Sequence, residues 1–289
     1  MKPKYIIHAD WNPDELQILS KLDINVDQNN IISTENESTA FKIKEIFNYK
    51  KDFYFNIPAV TFEAIEYENS ENYLLINTGP DIGNFAELGK INKNNETSEW
   101  SAAQFTFGEI CNKYGTPCSE QINPFVFSKE PKLEKRYLWG TFSGTSRYIF
   151  TDMARYKILL SLWNLPKREL LIGKNMKVSR EFVQVDIPIS HSELEFGESK
   201  FGYTFKEDTG LFEPGKNACP YCNQLVYNNS NLDFFPSFKN NMDQALVFTK
   251  EWFSYYRRLV VNKAFANWYI ENRFAEWNYI HIIPVKKFV

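Results

Sequence analysis

RYIFTDMARYKILLSLW, Arg147 to Trp163, decides the fold class. Its first residues form an aromatic and aliphatic run that reads as a strand. Thr151 and Asp152 then supply side-chain oxygens able to accept from free amides, the chemistry of a helix start. An apolar, β-branch-poor stretch follows and reads as a helix. A second stretch, RLVVNKAFANWYIENRF (Arg258 to Phe274), has the same plan: strand, Asn262 as cap, helix. Aligned, Ile149–Phe150–Thr151 fall on Val260–Val261–Asn262. Each unit leads on to another apolar run, RELLIG after the first and YIHIIPV after the second. Between them, REFVQVDIPI and FGYTFKE alternate as strands do. The pattern predicts an α+β protein with mixed sheets and packed helices, not a regular βαβ series. Two lobes are expected, the C-terminal one holding either a duplicated β-α unit or merely two common β-α units.

Upstream, KYIIH is a short strand. NPDELQILSKL is a helix with Asn12 as N-cap, Pro13 in its first position and Asp14 and Glu15 in its first turn. STENESTAFKIKEIFNY offers caps before a second helix. In FYFNIPAVTFEAIEYENSENYLLINTG, Val60, Phe62, Ala64, Ile65 and Tyr67, then Tyr73 to Ile76, suggest two strands joined by the polar turn ENSEN. Residues 89–101 read as a polar loop. INPFVFSKEPKLEK carries Pro124 and Pro131 and reads as a linker, so the lobe boundary falls near residue 131, giving lobes 1–130 and 131–289.

With 289 residues, the chain suits one large domain or two modest ones, and 43% hydrophobic residues suffice for a sizeable core. No run of about 18 apolar residues exists to span a bilayer. The N-terminal apolar stretch, Tyr5 to Ile7, is shorter than a secretory signal requires, so a cytoplasmic protein is expected. Charge is unevenly spread. Residues 1–130 hold 11 Lys, no Arg and 20 Asp+Glu, a net of −9, whereas residues 131–289 hold 22 Lys+Arg and 16 Asp+Glu, a net of +6. Two readings compete: opposite charges that help two lobes dock, or an acidic lobe offered to a basic partner. On the second reading the partner-facing candidates are Asp10, Glu35, Glu37, Glu66, Glu68 and Glu71. Direct nucleic-acid binding is not expected, because Arg257–Arg258 and Lys286–Lys287 are too short to form a basic patch.

The four cysteines are Cys111, Cys118, Cys219 and Cys222. In CPYC, Pro220 fixes the backbone of a tight turn. In CNKYGTPC, Gly115 and Pro117 mark another turn, so four thiolates could converge on one structural zinc. Two alternatives stay open: Cys111 packed as a small hydrophobe beside an empty turn, and a redox CPYC pair. The redox reading lacks a helix start to lower the thiol pKa. Of the three histidines, His8 and His281 sit in apolar strands and His191 in a polar turn. The chain carries no phosphate-binding glycine motif and no H-E-x-x-H. An enzyme would draw on Arg147, Asp152, Arg155 and His191 in the cleft between the lobes.

YIFTDMAR, REFVQVDIPI, a CxxC turn, RLVVNKAF and a terminal YIHIIPV follow one another over residues 137–289. This order resembles the double-CxxCG and related immunity-type proteins found beside bacterial polymorphic or contact-dependent toxins. The matches are Thr151–Asp152, Asn262 and Pro284–Val285. Two departures are that Asn223, not Gly, follows Cys222, and that the upstream pair is C-x6-C. The resemblance implies a non-catalytic protein that binds and neutralises a cognate toxin, and the acidic N-terminal lobe would suit a basic one.

Overall fold

The computed structural model describes residues 2–76, 79–86, 99–108, 120–142, 145–197, 199, 201–206, 211–214, 217–218, 225–227, 233–253, 256–272, 274 and 282–286. Among them the chain is α+β, with helices packed on mixed and antiparallel sheets.

The first 61 residues form a small unit. β1 (Lys2–His8), α1 (Pro13–Lys21), β2 (Ile31–Thr34), α2 (Glu37–Phe47) and β3 (Tyr54–Thr61) follow in order. The strands pair antiparallel as β2-β1-β3. Asn12 caps α1 with a reciprocal box: its side chain accepts from the Glu15 amide, and Glu15 accepts from the Asn12 amide. Asn36 caps α2 by accepting from the Thr39 amide. The unit has its own core of Tyr5, Ile7, Leu19, Ile32, Ala40, Ile43 and Phe47.

The remaining elements are α3 (Ala64–Glu68), β4 (Asn72–Leu75), α4 (Glu99–Phe107), β5 (Phe125–Phe127), β6 (Gly140–Phe142), β7 (Thr145–Asp152), α5 (Met153–Trp163), β8 (Lys167–Arg168), β9 (Leu170–Ile172), β10 (Lys177–Val178), β11 (Phe182–Val185), β12 (Leu194–Glu195), β13 (Tyr203–Lys206), β14 (Leu211–Pro214), β15 (Asn217–Ala218), β16 (Leu225–Tyr227), β17 (Phe235–Phe238), β18 (Leu246–Phe253), β19 (Tyr256–Asn262), α6 (Lys263–Glu271) and β20 (Ile282–Lys286). Eight of the strands pair in the order β12-β17-β20-β4-β19-β18-β16-β15. A second sheet runs β6-β7-β11-β8, a third runs β10-β9-β5, and β13 pairs with β14.

The central strands of the large sheet are apolar without alternation because both faces are buried. Leu74, Val247, Val260 and Ile283 point to one core with Phe201, Phe235 and Phe253. Tyr73, Leu75, Leu246, Leu259, Val261 and Ile282 point to the other. That second core is shared with Trp139, Ile149 and Val185 of the four-stranded region and with Leu159 of α5 and Phe265 and Tyr269 of α6. The two sheets are thereby fused through one hydrophobic layer. At the entrance to β6 the backbones touch: a Cβ on Gly79 (φ 151°) would meet the Trp139 carbonyl oxygen at 2.1 Å, and one on Gly140 would meet Ile82. Only glycine permits that approach.

Both β-α units are present, as β7–α5 and β19–α6, and they lie close together. Trp163 at the end of α5 packs edge-on against Phe265 and Trp268 of α6. The caps shift the expected alignment by one. Asp152 accepts from the Arg155 amide and Asn262 from the Phe265 amide, so Asp152 corresponds to Asn262. Thr151 instead donates its hydroxyl to the Leu138 carbonyl at 2.8 Å, inside the core.

Three other expectations need correction. The first of the two strands expected there, through Val60 to Tyr67, ends at Thr61, and Ala64–Glu68 is helix α3, because Glu63 and Glu66 form a capping box that starts a turn there. The expected linker contains β5, whose three residues are fully buried and pair in parallel with β9. The polar loop expected over 89–101 overlaps α4, which begins at Glu99; residues 87–98 lie outside the described set. Strand pairing also crosses residue 131: β4 lies between β19 and β20, and β5 pairs with β9.

Candidate functional site

The proposed zinc ligands Cys111, Cys118, Cys219 and Cys222 lie outside the described residues. Among the described residues no group of three or more His, Cys, Asp or Glu is arranged to hold a metal ion.

The acidic candidates fall in two regions. Asp10 follows β1, whereas Glu35 and Glu37 lie where β2 passes into α2. Tyr5 pairs with Thr34 and His8 with Ile31, so Asp10 sits at one end of the small sheet and Glu35 at the other. They are on the order of 20 Å apart. Glu66, Glu68 and Glu71 share the α3–β4 turn, and Glu68 and Glu71 are exposed. Glu66 is half-buried and accepts from the Glu63 amide at 2.8 Å. The carbonyls of Glu68 and Glu71 accept from Lys263, from its ammonium and its amide respectively.

Of the enzyme candidates, Arg147 lies in β7. Asp152 is the α5 cap and pairs with Arg155, which also donates to the Glu134 carbonyl. Both side chains are engaged in fixing the helix start. Among the described side chains of this set, His191 lines a concavity, and it is exposed there.

That concavity is a cleft of about 460 Å3 where the four-stranded sheet meets the large one. β11 runs out of its own sheet at Val185 and continues along β18: the Phe248 amide donates to the Pro188 carbonyl and the Ser190 amide to the Phe248 carbonyl, each at 2.8 Å. The splice leaves a trough between β8–β11 and β18–β19. Its apolar floor includes Tyr148, Val185, Ile187 and Phe248.

Arg257 forms one polar wall. β18 has a register shift between Phe248 and Trp252 opposite β19, which takes the carbonyls of Thr249 and Lys250 out of the ladder. One Arg257 Nη satisfies both carbonyls. The guanidinium lies 4.8 Å over the Trp252 ring, and its other Nη pairs with the Glu120 carboxylate. The Arg257 side chain is 11% exposed and that of Glu120 is 54% exposed. Its Nε is buried without a hydrogen-bond partner.

The opposite wall carries Arg168, whose Nε donates to Asp186 at 2.8 Å. Between the walls, Gln121 and Gln184 exchange amide hydrogen bonds at 2.9 and 2.6 Å. Gln121 also donates to the Asn123 carbonyl, and Arg168 Nη1 donates to the Gln121 carbonyl at 3.4 Å. No motif in the sequence marks Arg168, Asp186, Gln121 or Gln184. One signal was available: Gln184 is a lone amide in the apolar strand FVQV, and it is 3% exposed. A buried polar side chain needs a partner, and this one's partner, Gln121, sits just ahead of the segment read as a linker.

Fold and site thus define an α+β protein with a polar cleft at a sheet–sheet junction. Compared with known proteins, the chain matches no family model, no curated protein and no solved structure. Among the described residues no helix is long and apolar enough to cross a membrane.

Proposed function

We propose that this protein acts by binding rather than by turnover, and that it neutralises a cognate bacterial toxin in the manner of immunity-type proteins. The observation that carries the reading is the state of the cleft. Among the described residues that line it, both carboxylates are held by arginines, Glu120 by Arg257 and Asp186 by Arg168, and the His191 imidazole is exposed. Its amides hold one another. Such groups recognise and orient a guest, whereas general-base or nucleophilic catalysis needs a side chain poised beside the group it activates. Tyr148, Arg168, Val185, Phe248 and Arg257 of the cleft lining sit in hydrogen-bonded strands, a framework that suits a surface that must lock without rearranging.

Charge supports a basic partner. The first 61 residues hold 7 Lys and 9 Asp+Glu, a net of −2, so most of the acidic excess lies in residues 62–130, at −7. Glu66, Glu68 and Glu71 belong to that part. They would act by steering, over a Debye length of about 8 Å at physiological salt. The cysteines would add a structural zinc staple, with no part in the binding reaction. Protein purified without chelator should then contain about one zinc per chain, and Cys219→Ser should lose it. A metal-free native protein would remove the staple.

The decisive test of the function is co-expression with the products of neighbouring genes. One of them should be toxic alone and harmless with this protein, and reversing the charge of Glu66, Glu68 and Glu71 together should slow the association. If none is toxic alone and rescued, the neutralising role is wrong.

A further inference from the structure

The Glu120–Arg257 pair is asymmetric in a way that an ordinary surface salt bridge is not. The arginine is nearly buried, stacked on Trp252 and tied to two bulge carbonyls, so its position is fixed without Glu120. The glutamate is more than half exposed, and the arginine is the side chain it is bonded to. The backbone beneath it is clamped independently: Gln121 is held by Gln184 on one side and by Arg168 on the other. Glu120 can therefore leave by side-chain rotation alone, with the cleft intact. An exposed carboxylate contributes little to such a pair, because water replaces most of what it loses.

We propose that Glu120 is an internal placeholder and that the cleft captures a carboxylate presented by a binding partner, which displaces Glu120 from Arg257. A planar carboxylate matches the guanidinium fork. The body of the guest would rest on Tyr148 and Phe248, with Arg168 on the far wall as a second, more exposed cation. Glu120 thus keeps the preformed arginine neutralised until the partner arrives, and its tethered competition sets a threshold on affinity. The inference rests on the cleft being a binding site and is independent of the partner being a toxin.

The test uses the full chain and two probes, the blocked tripeptide N-acetyl-Gly-Glu-Gly-amide and free glutarate, with inorganic phosphate and the Gln tripeptide as comparisons. Binding is read by calorimetry and by tryptophan fluorescence, with Trp252→Phe used to assign the signal. Glu120→Ala should bind the Glu tripeptide about fivefold more tightly than the native chain, as expected for removal of an exposed competing pair. Arg168→Ala should weaken it, and the Gln tripeptide should bind to neither. Glutarate binding as well as the tripeptide would identify a free small acid as the guest; a preference for the tripeptide identifies a protein segment. Tighter binding of phosphate than of either carboxylate overturns the carboxylate assignment. Equal affinity of the native chain and Glu120→Ala overturns the placeholder. Glu120→Gln repeats the comparison if the alanine variant is poorly folded. A cleft that takes the tripeptide while no neighbouring gene product is neutralised keeps this inference and removes the toxin.

Discussion

A buried and a half-buried glutamate show how one residue type serves opposite ends. Glu15 is 5% exposed. Burial alone pushes its carboxyl up, but hydrogen bonds from Lys50, from the Asn12 amide and from the Tyr49 hydroxyl more than offset this, and its pKa ends below the usual carboxylate value. A depressed folded pKa means stability that is present above the unfolded value and lost as pH falls through the folded one. Glu15→Gln should lower the Tm by roughly 5 °C at pH 7, and the gap to the native chain should close as the pH falls below about 4. A gap that persists unchanged at acid pH would show that packing, not charge, holds the knot. Glu251 is the reverse case. Its Oε1 accepts from the Leu194 amide at 2.8 Å, while its Oε2 is buried without a partner. Desolvation raises its pKa, with Glu193 adding to the effect and the Leu194 amide and Lys250 opposing it. The native state then binds the proton more tightly than the unfolded chain, so stability falls as pH rises from the unfolded value through the folded one. Glu251→Gln should match or exceed the native Tm at pH 7 by about 1–3 °C, and the advantage should vanish in acid. A Tm lower at pH 7 than at pH 4, relative to the native chain, would reverse the sign and refute the account.

β4 is the element that ties the two halves of the sequence together, and one serine fixes its entry. Ser70 is 4% exposed, and its hydroxyl lies 2.6 Å from the Asn72 carbonyl and 2.8 Å from that of Val285. It accepts from the Val285 amide at 3.1 Å, locking α3–β4 to β20 across 215 residues of chain. Ser70→Ala leaves that amide buried without its acceptor, and should cost about 1–3 kcal/mol in urea unfolding. Amide exchange at Val285 should accelerate more than at Val260, on the far side of β4; uniform acceleration would mean the serine does not act locally. Elements with strong local chemistry were legible from the sequence: α1 from its capping box, and β7–α5 and β19–α6 from strand, cap and helix. β5 was not, because Phe125 to Phe127 sit between two prolines and take strand form only by pairing with β9, some 45 residues on. α3 failed for a related reason. Five residues cannot show a helical period, and the deciding contact is the reciprocal Glu63–Glu66 box. The cleft was the least legible feature. Its residues come from six stretches, at 120–121, 148, 166–168, 184–191, 248 and 257, that meet only because β11 crosses from one sheet to another.

At the scale of the whole molecule, hydrophobic cores define units better than charge does. The net charge of the sequence changes sign near residue 131, yet the core of Tyr73 and Leu75 is continuous with that of Ile149, Val185 and Phe265 across that point. By contrast, among the described residues the core of Ile7, Leu19, Ile43 and Phe47 draws its buried members from the first 47 residues. The join is short: β3 ends at Thr61 and α3 begins at Ala64. Phe62, between them, packs on Tyr67 and on Phe234 of the larger part, at 6.0 and 4.9 Å. Stability is cooperative within a shared core and need not be across a joint that buries little. The two parts should therefore unfold as separate units. Ile7→Ala and Leu259→Ala each remove a buried side chain, at a cost of about 2–5 kcal/mol to the unit that holds it. Under native conditions, hydrogen exchange should show Ile7→Ala deprotecting β1 and β2 while leaving β4 and β19 as they were, and Leu259→Ala doing the opposite. If either substitution deprotects both sets equally, the chain unfolds as one unit and the Phe62 joint carries far more coupling than its two aromatic contacts suggest.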